Sequence, residues 1–128
     1  MIAAANFYAA WLSIIMGLIS GTIQGLFFHN ENWLGGYGSW KRRMLRLGHI
    51  SFFGLGFLNL AFAMSAIYLP VTHEAIRLPG ALLLIGLVTM PLICYLSAIS
   101  SKFRHLFCVP VVSLLAATII FLLEVSSK

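Results

Sequence analysis

Apolar positions in this chain fall into four long unbroken stretches, roughly 7–28, 48–69, 80–99 and 106–124. They do not follow the one-faced spacing of helices in a water-soluble fold. Each stretch is close to the ~20 residues an α-helix needs to cross a hydrocarbon layer of about 30 Å. No acidic or basic side chain interrupts them before Glu124, at the last edge. A soluble bundle would carry charge along one face of every helix. The pattern predicts an all-α integral membrane four-helix bundle, one domain over 1–128. Composition agrees: 61% of the residues are hydrophobic and 9% charged, too little polar surface for a soluble domain of this length.

The links between the stretches set the connectivity. Segment 29–47 is the longest polar one. Its Trp33, Tyr37 and Trp40 suit an interfacial aromatic belt, and Gly35, Gly36 and Gly38 give it loop flexibility. Segment 70–79 is short and bracketed by prolines, and 100–105 is shorter still. Short links make sequential helices antiparallel neighbours, so the bundle is expected to consist of two antiparallel hairpins. Pro91 lies inside the third stretch, where it predicts a kink and a freed carbonyl near Leu87. The first stretch lacks the basic n-region of a signal peptide and is longer than an h-region, so it is expected to remain as helix 1.

Charge changes the picture only by orienting it. Lys41, Arg42, Arg43 and Arg46 lie between helices 1 and 2, and Lys102 and Arg104 between helices 3 and 4; only Arg77 and Lys128 fall at the other end. By the positive-inside rule both basic loops face the cytoplasm, giving an N-out, C-out topology in an inner membrane of bacterial type. The formal charge of +5 then reports topology and contact with anionic lipid headgroups, and implies no nucleic acid. Cys94 and Cys108 lack the spacing of a disulfide framework or zinc site and read as buried small residues.

Helix 1 carries Ser13, Gly17, Gly21 and Gly25 at every fourth position, a stripe that lets another helix approach closely. The stripe does not name its partner, whether helix 2, a second copy or another protein. Gln24 and Asn59 read as hydrogen-bonding residues between helices, and Asn59 also as a contact for a quinone or other cofactor. His29, His49 and His105 all fall at the basic ends of helices. Helix 2 opens Arg46-Leu47-Gly48-His49, and Gly56 and Ala63 follow His49 on one face. A histidine above small residues is what a flat tetrapyrrole needs, with Arg46 placed to pair with a propionate.

Arg-x-x-His opening a glycine-rich apolar helix resembles the low-spin haem-ligand helix of haem–copper oxidase subunit I, and more loosely that of succinate dehydrogenase membrane anchors. The resemblance covers 15 or so of the residues. It implies His49 as a ligand of a b-type haem, and His105 is the candidate for a second axial position. The other histidines of a haem–copper centre are missing, so oxygen reduction is not implied.

These features lead to the expectation of a small accessory subunit of a larger membrane complex, respiratory or otherwise electron-transferring. It would contact other membrane subunits and a b-type haem or quinone, and would be no enzyme on its own. The alternative is a small oligomeric transporter. A proton-coupled exporter of this size needs a carboxylate in helix 1, and there is none.

Overall fold

The computed structural model describes residues 2–127. Four α-helices account for most of it: α1 (Ile2–Phe27), α2 (Trp40–Tyr68), α3 (His73–Ile99) and α4 (Cys108–Ser126). Each, with the segment leading into α4 included, is long and apolar enough to cross a membrane. The all-helical four-helix architecture follows from the four apolar stretches. The helix starts differ, because polar first turns are helical too.

α2 begins eight residues before the apolar stretch does. Ser39 caps it by accepting a hydrogen bond from the Arg42 N–H at 3.2 Å, and the basic residues 41–46 form its first turns rather than a loop. Thr72 caps α3 in the same way through the Ala75 N–H at 3.3 Å. α3 therefore starts before Pro79 and runs continuously through both Pro79 and Pro91. The short third link is itself helical, a 3-10 segment at Ser101–Phe107.

α3 is the central helix and packs against the other three; α4 lies chiefly on α3. An apolar core sits at the end opposite the two basic connections. There Phe62, Ile76, Leu83 and Ala117 are buried together, with Phe121 edge-on to Phe62 at 4.9 Å. Gly86 admits the Leu114 side chain, and Ser113 donates to the Leu82 carbonyl at 2.7 Å, which locks α4 to α3.

A polar knot ties the other three helices within this layer. The Asn6 amide donates to Asn59 Oδ1 at 2.7 Å and to the Gly80 carbonyl at 3.0 Å. Asn59 in turn donates to the Leu55 carbonyl at 2.9 Å and the Leu83 carbonyl at 3.4 Å. Both asparagines are fully buried. Where no water is available, these bonds fix the depth at which α1, α2 and α3 meet. At the opposite end the Trp40 indole donates to the Ser97 carbonyl at 2.7 Å, tying the start of α2 to the end of α3.

Asn59→Ala is expected to destabilise the chain by about 1–2 kcal/mol, since it leaves one hydrogen of the Asn6 amide unpaired in an apolar layer while the other keeps the Gly80 carbonyl. Reversible unfolding in mixed micelles measures this. In the Asn59→Ala background, Asn6→Ala should cost much less than it does alone; purely additive costs would show that the two side chains act independently.

Candidate functional site

The stripe on α1 faces α2. Ser13 donates to the Phe52 carbonyl at 2.7 Å. A Cβ on Gly17 would lie 2.8 Å from the Phe53 ring, and one on Gly21 would lie 2.5 Å from His49 Cε1. Gly25 has open space around it and takes no part in the contact. Gln24 bridges the same helices, donating to the Leu45 carbonyl at 3.2 Å and to Ser20 Oγ at 3.0 Å.

This packing decides the fate of the haem-like strip. The His49 ring lies over Gly21 and stands edge-on to Phe53 at 5.4 Å, with Nδ1 buried and without a partner. A Cβ at Gly56 would meet the Ala10 carbonyl oxygen and Ile14 Cγ1, both at 3.2 Å. Gly56 is thus covered by α1 and Gly48 by Cys94 and Tyr95 of α3, which leaves no room for a macrocycle against either. His105 is exposed on the 3-10 segment, which packs on α3 and α4, so it does not join His49. Among the described residues no three His, Cys, Asp or Glu side chains come together as a metal site. A haem held by His49, Gly56 and His105 therefore does not fit this arrangement. The strip is small because a helix fills it.

The remaining sequence candidates have structural neighbours of their own. Asn59 is committed to the knot with Asn6. Arg46 stacks on Tyr37, 4.0 Å from the ring centroid, and donates to the Tyr37 carbonyl at 3.3 Å. His29, two residues past the end of α1, donates from Nδ1 to the Leu26 carbonyl at 2.9 Å. Cys94 is buried as expected, but Cys108 is exposed.

What the sequence does not announce is a cleft between α1 and α3, floored by α2. One part, about 300 Å³, is lined by Ser20, Gln24, Trp33, Leu45, Phe52 and Tyr95 among others. A second, about 450 Å³, adjoins it through Met16, Phe52 and Tyr95 and runs past Leu12, Val88 and Pro91. The outer rims, such as Leu12, Ile23 and Val88, are exposed and apolar, so the cleft opens sideways where the bilayer would lie.

Its polar groups are gathered at one spot. Ser20 Oγ and the Tyr95 hydroxyl are 2.6 Å apart, and Gln24 Nε2 donates to the same Ser20 oxygen. Gln24 is 5% exposed, and its Oε1 is buried without a partner. Both Gln24 amide hydrogens are already used, so the unpaired atom can only accept. The two hydroxyls hold two hydrogens and spend one on each other. One hydroxyl hydrogen and one buried amide oxygen are left without partners. Tyr95 lies four residues before the end of α3, about 6 Å along the axis, inside the apolar layer.

At the basic end the connector folds back over this cleft. Leu34 (φ 53°), Gly35 and Gly36 take successive left-handed conformations, and Leu34 does so at a steric cost a glycine would not meet. The reversal stacks Trp33 on Phe27 at 5.3 Å, which makes Trp33 a wall of the cleft. The chain matches no family model, no curated protein and no solved structure.

Gly54 and Gly56 separate packing from helix propensity. Gly54 has open space, whereas Gly56 meets α1 backbone, which cannot swing aside. Gly56→Leu is expected to cost about 1–3 kcal/mol through overpacking, and Gly54→Leu to be neutral or slightly stabilising. Unfolding midpoints in the same micelles compare them; equal effects would mean α1 does not seat on α2 here.

Proposed function

We propose that this chain is a small membrane subunit that holds an amphiphile of the quinone class, its ring at Ser20, Gln24 and Tyr95 and its tail along the lower cleft. In this reading the chain serves a larger assembly, respiratory or otherwise electron-transferring, and presents the bound molecule to a partner. The basic end lies at the cytoplasmic face. The observation that carries the proposal is the buried Gln24 Oε1 without a donor, set beside a spare hydroxyl hydrogen in a cleft that is otherwise apolar.

The chemistry follows from those two vacant positions. A ring hydroxyl can accept the spare hydrogen and donate its own to Gln24 Oε1. A ring carbonyl can do only the first and leaves the amide oxygen unpaired, at a cost of about 1–3 kcal/mol. The hydroxyl-bearing, reduced form is therefore the better ligand. Phe52, Trp33 and Tyr95 supply flat walls for a ring. The sideways opening allows entry from the lipid phase without crossing the headgroups.

Calorimetric titration of the full chain in mild detergent tests the ligand class, using a short-chain quinol and its quinone. The quinol is expected to bind about tenfold more tightly, and Gln24→Leu to remove that difference. Tyr95→Phe should weaken both forms. Absence of binding, or binding equal in wild type and both variants, overturns the ligand. The subunit role is tested separately: tagged chain drawn from its own membrane should bring larger proteins in fixed ratio, and recovery as a pure homo-oligomer contradicts it.

A further inference from the structure

Arg42 is 3% exposed, and its guanidinium lies among aromatic rings. Its central carbon is 5.1 Å from the Phe28 centroid, 5.6 Å from Trp33 and 5.8 Å from Tyr37. Arg46 is one turn along on the same face and stacks on the same Tyr37. The ring thus joins two guanidinium groups.

Their acceptors are all neutral. Arg42 Nη1 donates to the Asn30 and Glu31 carbonyls at 3.4 and 3.2 Å, and Arg46 Nη2 to the Tyr37 carbonyl. Glu31 offers its main chain here, not its carboxylate. Arg42 Nε and Arg46 Nη1 are buried with no acceptor at all. A buried cation left with an unused donor is expensive, and two on one face need an acceptor carrying negative charge. Water could fill a donor site but not neutralise the pair.

We propose that Arg42 and Arg46, joined through Tyr37, form a phosphate-binding site at the basic end of the bundle, separate from the cleft beneath Trp33. A phosphate group has enough oxygens to accept from both arginines, and guanidinium geometry suits it. The site sits at the helix ends, the level at which phospholipid headgroups lie. It differs from the general attraction of a basic surface because the donors are positioned and buried. The exposed Arg43 beside them, stacked on Trp40 at 5.8 Å, has the same charge without that enclosure.

That contrast supplies the test. The full chain is equilibrated with phosphatidylglycerol in detergent, and retained lipid is counted by native mass spectrometry. One phosphatidylglycerol should be retained in preference to phosphatidylcholine; Arg46→Gln should weaken retention about tenfold, the loss of one charge-assisted hydrogen bond. Arg43→Gln removes the same charge and should change it less than about twofold. Arg46→Lys, which keeps the charge but not the fork, should fall between. Helical content by circular dichroism and the thermal midpoint must match wild type, and Arg42→Lys stands in where Arg46→Gln fails that control. Excess inorganic phosphate then names the source: displacement of the lipid assigns the site to free phosphate, and persistence assigns it to a headgroup. Equal losses for Arg43→Gln and Arg46→Gln, or no loss for either, would overturn the site.

Discussion

α1 lies against α2 so closely that a methyl group at Gly56 would touch the backbone of α1, and most of the remaining structure depends on that approach. Lipid gives helices little reason to associate through apolar area alone, so contact has to come from small residues and hydrogen bonds. Ser13, Gly17 and Gly21 provide the first, and Ser13, Gln24 and the Asn6–Asn59 knot provide the second. With α1 fixed on α2, its other side stands across from α3, and near the basic end the Ser20–Tyr95 hydrogen bond spans the two helices. The cleft is the space left over. It persists there because the large apolar core of Phe62, Ile76 and Leu83 lies at the far end.

The same approach explains the division of the polar groups. Asn59 and Asn6 bond each other at depth and hold three helices, with Asn6 Oδ1 left without a donor. Nearer the basic end, Ser20, Gln24 and Tyr95 are only partly satisfied among themselves. Partial satisfaction in an apolar layer destabilises the chain unless a ligand completes it. Above them, the strained Leu34 turn brings Trp33 and Tyr37 against Arg42 and Arg46, so one connector supplies a wall of the cleft and the rings that the two guanidiniums meet.

The four helices were legible in the sequence because uncharged runs of that length have few alternatives. Their starts were less so. Lys41 to Arg46 looked like a loop, since basic residues near a membrane read as topology, yet Ser39 caps a helix that contains them. Asn6 stood before the first apolar stretch as drawn and went unnoticed for that reason. The stripe at Ser13, Gly17 and Gly21 was visible, but its partner was not, because periodicity gives a face and not what covers it. The His49–Gly56 face was likewise real, and the structure fills it with α1. Tyr95 gave no signal of its own: one tyrosine near a helix end looks like any interfacial aromatic, and only the fold sets it against Ser20.

Photolabelling in the protein's own membrane shows whether the cleft between α1 and α3 receives a ring-bearing amphiphile. A quinol analogue with a diazirine on its ring is activated by light, and the labelled residues are located by peptide mass spectrometry. Label is expected on cleft residues such as Met16, Leu45 and Tyr95, suppressed by unlabelled quinol. Label spread over the outer face of α4, at Val112, Leu115 and Leu122, or unaffected by competition, would contradict binding in the cleft.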